Sequence, residues 1–278
     1  MLRESRLFSF LDQNNNFCVY FFEGQKIIHD IILMNKMGQH GLSFLRDFIL
    51  TFQPMISFLK PGEGYGIYID SQKPFFRLKI ESNASGQMRT LILPEKFTNY
   101  PDTITGICRV SKLFPNKEQK SYTSIIKLNE VRLCDIANQI LKESYQVQSE
   151  VYISAKSDQS LMYMKMPKFN VDNIDEEDLS LFDYKKIVSE KLNFLFNKGL
   201  SEEKEIIHEF KKLNFQYLAS KPVFFKCACS RDRMILNLKS LINSNHDELF
   251  DPGKESLEVD CDYCKTSYLI TKNELLDR

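Results

Sequence analysis

Tryptophan is absent from the chain, histidine occurs only four times, and neither charge sign is in excess: 37 Lys and Arg offset 37 Asp and Glu among 278 residues. A neutral balance argues against a generic polyanion binder, which carries a basic surplus. No apolar run reaches the roughly 18 residues that a membrane-spanning helix needs. The stretch MLRESRLFSFLDQNNN has no sustained apolar core, so no secretory signal is predicted. The phosphate-cradling pattern G-x-x-x-x-G-K-[ST] is missing, and nothing points to ATP use. GEGYG (62–66) is glycine-rich but lacks the lysine and opens a strand pattern, so it reads as a turn. Four scattered histidines suggest no Ser–His–Asp or Cys–His arrangement, and no enzyme is expected. Internal repeats and low-complexity tracts are also lacking. Together these absences suggest a cytoplasmic protein in a reducing compartment, where clustered cysteines are metal ligands or redox groups more often than disulfides.

Apolar residues make up 43% of the chain, and 22 of them are phenylalanine, so a Phe-rich core is expected. The length suits one large domain and a small one. The expected class is α+β. Six segments in 1–166 read as strands: 64–70, 75–82, 87–93, 104–111, 121–129 and 149–156. Residues 41–52 suit a buried helix that Pro54 ends or kinks. Residues 132–144 place Leu133, Ile136, Ala137, Ile140 and Leu141 on one helical stripe. A composition shift follows Pro167, and the acidic stretch 170–180 marks a boundary. Two charged helical patterns follow, 181–197 with Tyr184, Val188, Leu192 and Leu195 as its stripe, and 202–213, with Gly199 between them and Ser201 placed to cap the second. Such narrow stripes need something to dock on. The expected domains are an N-terminal α/β core over 1–170, a helical linker over 171–221 and a C-terminal cysteine module over 222–278.

Four of the seven cysteines lie in that module as two close pairs, Cys227 and Cys229 (C-x-C) and Cys261 and Cys264 (C-x-x-C). Four thiolates at this spacing suit a tetrahedral Zn²⁺ site, each pair acting as a clip. Between the clips, Ser230 is placed to cap a helix carrying Met234, Ile235, Leu238, Leu241 and Ile242, and SLEVDC reads as a strand. A module this small needs a staple beyond its core. A purely structural zinc knuckle fits the spacing as well as a switch does. His246 is a stray candidate ligand that four thiolates leave without a place. Cys18, Cys108 and Cys134 fall in strand or helix patterns and read as buried small hydrophobes. Lys226, Arg231, Arg233 and Lys265 flank the ligands and can offset the charge of a tetrathiolate site. A C-x-C disulfide closes a very small ring, and strained disulfides are the reducible, regulatory kind.

These residues resemble a known family, the redox-regulated bacterial heat-shock chaperones of thirty-three kilodaltons. That family ends in C-x-C, a gap near thirty residues and C-x-x-C. Its first pair is typically followed by Ser-Arg, as Cys229 is by Ser230 and Arg231. Its second sits in E-V-x-C-x-x-C-x-x-x-Y, matched by Glu258, Val259, Cys261, Cys264 and Tyr268. The segment YQVQSE (145–150), after a helix and before a strand, and Leu59-Lys60 at a helix end are similar too. Ser71-Gln72-Lys73-Pro74 departs from the family's Gly-Asp-Gly-Pro turn, Met88-Arg89-Thr90 from its Leu-Arg-Gly, and Val151 from its usual Gln.

The resemblance implies an ATP-independent holdase. Zn²⁺ would be bound by Cys227, Cys229, Cys261 and Cys264 in the reduced protein. Oxidation would form disulfides Cys227–Cys229 and Cys261–Cys264, release the metal and unfold the module with its linker. The implied partners are unfolding client proteins, and a second copy of the chain when oxidised. The alternatives are a nucleic-acid-binding zinc ribbon, which the neutral charge disfavours, and a structural zinc protein without a switch. A zinc enzyme would need an open coordination position that four cysteines do not leave.

Overall fold

Apolar side chains alternate between two faces from Leu7 onward, and this alternation builds the centre of the molecule. The computed structural model describes all residues except 1, 36, 96–99, 115–120, 168–178, 243–248, 251–252 and 277–278, and at 241, 242 and 276 the side chains are also outside the description. His246 and residues 170–178 of the predicted boundary at 170–180 therefore lie outside the described residues. The chain divides into two units, Met1–Phe225 and Lys226–Arg278.

The first unit opens with β1 (Arg6–Asp12), β2 (Phe17–Glu23), α1 (Gln25–Met34) and α2 (Gln39–Phe52), then a 3-10 helix over Gln53–Phe58. Pro54 sits in the first turn of that 3-10 helix, so α2 ends just before it. Next come β3 (Gly64–Gln72), β4 (Phe75–Asn83), β5 (Gln87–Leu93), β6 (Ile104–Leu113) and β7 (Tyr122–Val131). Then follow α3 (Leu133–Glu143), β8 (Ser149–Ile153), β9 (Gln159–Lys165), α4 (Leu181–Lys198), α5 (Glu203–Lys212), β10 (Gln216–Pro222) and β11 (Phe224–Phe225). The five-stranded sheet runs β10-β1-β2-β9-β8, and the six-stranded sheet runs β11-β5-β4-β3-β6-β7. Every pairing is antiparallel except β11 with β5.

One core joins α1, α2, α3 and the 3-10 helix to the six-stranded sheet and to one face of the five-stranded sheet, through Leu7, Phe22, Val151 and Met162. The opposite face of that sheet presents Phe8, Phe10, Phe17, Val19, Phe21, Leu161 and Tyr163. Tyr184, Val188, Leu192, Leu195 and Phe196 of α4 and Ile206 and Phe210 of α5 cover it. This is the dock that the narrow helical stripes required. Phe10 stacks on Phe210 at 3.9 Å, and Phe17 on Tyr184 at 3.8 Å. The interior is rich in phenylalanine as expected, with Phe8, Phe10, Phe17, Phe21, Phe22, Phe48, Phe52, Phe76 and Phe210 fully buried.

The stretch 171–221, expected as a helical linker, holds α4 and α5 and then β10, which extends the five-stranded sheet from β1. Ser180 caps α4, its hydroxyl accepting the Asp183 N–H at 3.1 Å, and Gly199 closes the helix at φ 57°. Ser201 does not cap α5. That helix begins one residue later than its pattern suggested, with Glu202 at the cap position and no side-chain cap. Gly86, at φ +79°, lies where β11 meets β5, and a Cβ there would sit 1.7 Å from the Pro222 carbonyl oxygen. Among the described residues no helix is long and apolar enough to cross a membrane.

The second unit contains α6 (Arg231–Ile242), β12 (Ser256–Asp260), β13 (Ser267–Thr271) and α7 (Lys272–Leu276). β12 and β13 form an antiparallel hairpin with Val259 opposite Tyr268. Its core is small: Leu238, Ile270 and Leu275 are buried, with Met234, Ile235, Leu257, Val259 and Tyr268 packed partly against them. The protein is α+β, with two sheets and helices followed by a small unit that carries a cysteine cluster.

Candidate metal centre

Two turns carry the four cysteines of the second unit. The C-x-C pair precedes α6, which Ser230 caps as predicted: its hydroxyl accepts the Arg233 N–H at 3.3 Å and its carbonyl accepts the Met234 N–H at 3.1 Å. The C-x-x-C pair lies in the loop of the β12–β13 hairpin. There the Cys261 N–H donates to the Thr266 carbonyl at 3.0 Å, and the Lys265 N–H to the Cys261 carbonyl at 2.8 Å. Lys265 takes a positive φ of 60° to close the turn. These hydrogen bonds fix the hairpin loop and aim Cys261 and Cys264 at the first clip.

The sulfurs of Cys227, Cys229, Cys261 and Cys264 all lie within 4.8 Å of one another and could hold a metal ion. The Cys227 and Cys261 sulfurs are 3.6 Å apart, and those of Cys229 and Cys264 are 3.3 Å apart. Cys261 is buried and the other three are half-buried. Burial pushes the Cys227 thiol up to about 12, and shared hydrogen bonds with the other three thiols add to this. Burial raises Cys261 as well. At Cys264 burial also acts upward, but the Thr266 hydroxyl and backbone N–H and the sulfurs of Cys229 and Cys261 outweigh it and bring the thiol down to about 7. The cluster thus holds both proton-retaining and readily ionised thiols at short range, as like charges forced together require.

Three of the flanking basic residues make defined contacts within the unit. Arg231 forms a double-pronged ion pair with Glu274 of α7, at 2.8 to 3.0 Å. Arg233 donates to the Ala228 carbonyl at 2.6 Å, and Lys265 to the Asp262 carbonyl at 2.7 Å. They tie the turns together, and the downward pull on Cys264 comes from hydroxyl, amide and thiol donors. Two of the cluster's neighbours were not assigned a role from sequence. The Thr266 hydroxyl lies 3.2 Å from the Cys264 sulfur, and the Tyr268 hydroxyl 3.1 Å from the Cys229 sulfur. Their signal is the i, i+2 spacing after the clip, which puts both on one face of an extended segment.

The remaining cysteines belong to the first unit. Cys18 on β2 and Cys108 on β6 are buried, and Cys134 on α3 is half-buried. Burial raises all three thiols, Cys108 to about 12.

A family model described as "Hsp33 protein" matches residues 5–271. A 33 kDa chaperonin of Shewanella frigidimarina is 26% identical over 155 residues, covering 54% of this chain and 51% of that protein. One from Bacillus velezensis is 32% identical over 101 residues, covering 36% of this chain and 34% of the relative. The alignments thus span about half, or less, of the length of these curated relatives. The crystal structure of the 33 kDa chaperonin (heat shock protein 33 homolog) from Thermotoga maritima superposes with a TM-score of 0.72 at 12% identity, covering 99% of this chain and 97% of the other. At that identity the superposition speaks for the fold. The family match takes in both sheets, the α4–α5 pair and all four clustered cysteines, and by that extent the chain belongs to the Hsp33 protein family.

Proposed function

We propose that this protein is an ATP-independent holdase that binds unfolding proteins under oxidative stress and is switched by its cysteine cluster. The observation that carries the reading is the convergence of four sulfurs from two clips in a unit whose core, among the described residues, is built on Leu238, Ile270 and Leu275. Cys227, Cys229, Cys261 and Cys264 would hold Zn²⁺. A Zn–S bond of about 2.3 Å gives a tetrahedron whose S···S edge is about 3.8 Å. The separations of 3.6 and 3.3 Å lie near that edge, so the donor set fits the ion. Bound zinc supplies the folding energy that so small a core lacks.

In the oxidised protein, disulfides Cys227–Cys229 and Cys261–Cys264 replace the thiolates and the metal leaves. Loss of metal unfolds the module. Release of α4 and α5 would then bare the aromatic face of the five-stranded sheet, with Phe8, Phe10, Phe17 and Phe21 in one patch. An apolar surface of that kind suits unfolding clients. The active form pairs with a second copy of the chain, and the protein works in the cytoplasm.

The test is aggregation of a heat-denatured protein in the presence of this chain, reduced or pre-oxidised with peroxide at mild heat. Suppression should appear only after oxidation and should reverse with a dithiol reductant and zinc. Equal suppression in both states would remove the switch, and no suppression in either would remove the holdase.

A further inference from the structure

In the central rows of the six-stranded sheet, every second residue points away from the core and onto an open face. Strand register sets what meets there. Arg77, Asp70, Ile107 and Lys127 lie side by side across four strands, and Lys79, Tyr68, Arg109 and Ile125 form the next row. Arg89, Glu81, Gly66 and Ser111 form the row after that. Five cations thus share these rows with two carboxylates, in a chain whose total charge cancels. Asp70 is divided between Arg77 at 3.2 Å and Arg109 at 2.6 Å, and Glu81 takes Arg89 at 2.5 Å. Among the described residues neither Lys79 nor Lys127 has an ion-pair partner. Exposed ion pairs are weak in water, so a phosphate can share or displace these carboxylates.

Two aromatic rings lie on the same face. Tyr68 is folded down over Gly66, where a Cβ would fall 2.6 to 2.8 Å from the tyrosine hydroxyl and ring atoms. Its hydroxyl donates to Glu81 at 2.8 Å, which holds the ring against the sheet rather than extended from it. Phe75 is 62% exposed, and the Arg77 guanidinium carbon lies 5.6 Å from its ring centroid. A cationic sheet surface that also presents rings takes phosphates and bases together, whereas an acidic protein would use the cations alone.

We propose that this face of the six-stranded sheet is a binding platform for single-stranded nucleic acid, on which Arg77, Lys79, Arg109 and Lys127 take phosphates and Tyr68 and Phe75 stack bases. The strand is single because a duplex keeps its base faces within its own stack, out of reach of a side chain on a sheet. Binding of this kind tolerates any sequence, since every base has a face to stack on a ring. It is also salt-dependent, since each neutralised phosphate releases its counterions. The site belongs to the first unit and needs neither the metal nor the holdase reading. Its charge surplus is local, and the offsetting acids elsewhere in the chain hide it from the composition.

The experiment follows the fluorescence anisotropy of a labelled oligouridylate of about 16 nucleotides, the upper end of site sizes for a single module. It is titrated with the full-length reduced protein over a series of salt concentrations. Binding should saturate, and the logarithm of affinity should fall against the logarithm of salt with a slope of about −2 to −3.5, as for roughly three to five phosphates. The double variant Lys79→Gln, Lys127→Gln should make that slope shallower by about 1.4. Phe75→Ala alters an exposed side chain and leaves the core intact. It should weaken binding about five- to hundredfold at every salt concentration, with the slope unchanged. No saturable binding by the unaltered protein at low salt overturns the proposal. An unchanged slope in the lysine variant also overturns it, because the nucleic acid is then held elsewhere. Unchanged affinity in Phe75→Ala overturns the stacking on which the choice of partner rests. So does displacement of the oligouridylate by oligoglutamate of equal charge as effectively as by unlabelled oligouridylate, a result that would assign the face to an acidic protein.

Discussion

Cys261 is the most enclosed of the four sulfurs, 3% exposed, and with Cys264 it anchors the hairpin side of the cluster. Serine at both positions should abolish metal retention, which elemental analysis of the purified reduced protein would read. Metal kept at one per chain would refute the ligand set. Without metal, Cys227 is pushed up to about 12 and Cys261 is raised, so metal uptake at neutral pH must displace protons. Affinity should therefore fall steadily as pH drops from about 8 to about 5. A second titratable group acts on stability. Glu23 ends β2 in a buried position and accepts the Gln25 N–H at 3.0 Å. Burial raises its carboxyl from 4.5 to about 7, the Gln25 N–H opposes the shift, and the Asp158 charge adds to it. The folded protein holds this proton more tightly than the unfolded chain does. Its stabilising effect is full below about pH 4.5 and is lost as pH rises through about 7. Glu23→Gln should then gain roughly 1–3 kcal/mol in urea unfolding at about pH 8, with the gain vanishing near pH 4.5. The four clustered cysteines could be picked out in the sequence because both pairs are local. Tyr268 and Thr266 could not be assigned a role, because their partners are fixed by hairpin register. Glu23 gave no sign either, since its burial depends on distant strands.

α4 and α5 are charged helices that owe their place to one aromatic face. Phe210 is fully buried and stacks on Phe10 with ring planes 2° apart. Phe210→Ala should cost about 3–5 kcal/mol, seen as a lower urea midpoint of the first unit, while metal content stays unchanged. An unaltered midpoint would mean that α5 contributes little to the fold. Phe194, by contrast, is already 51% exposed, so release of α4 would add little surface there. The sequence pattern located both helices and β3 to β8 within a few residues, because each has a one-sided stripe or a clean alternation. It did not disclose β1, β2, β9 and β10. FCVYFFE in β2 is buried on both faces, between two cores, so its alternation is masked by a nearly continuous apolar run. β10 reads as polar because it is an edge strand, and only its pairing with β1, some two hundred residues earlier, makes it a strand. The cap at Ser201 failed for a local reason: the α5 helix starts past it, and its first turn is stabilised by Glu203 and Glu205 instead.

At the scale of the whole molecule the two units differ in what keeps them folded. The first has two extended cores, and the second has, among the described residues, a small core on Leu238, Ile270 and Leu275 beside a sulfur cluster. Structural zinc contributes on the order of 10–16 kcal/mol of apparent binding energy in small peptides, against about 5–15 kcal/mol of net stability for a whole domain. Removing the metal should therefore melt residues 226–278 completely. The α4–α5 pair is a different case. Isolated helices of under about 12–15 residues are marginal in water, yet these two bury Tyr184, Val188, Leu192, Leu195, Ile206 and Phe210 on a sheet of the first unit. Their loosening on oxidation, which the holdase reading requires, must work against that packing and should be partial. Hydrogen exchange on reduced and peroxide-treated protein separates these responses. Protection should vanish across 226–278, fall without disappearing across 181–213, and persist in β3, β4 and β6 at the centre of the six-stranded sheet. Complete loss across 181–213 would mean that the helices depend on the second unit more than on their sheet. Unchanged protection there, with the cluster fully oxidised, would mean that α4 and α5 stay docked and that client binding must use the unfolded residues 226–278 themselves.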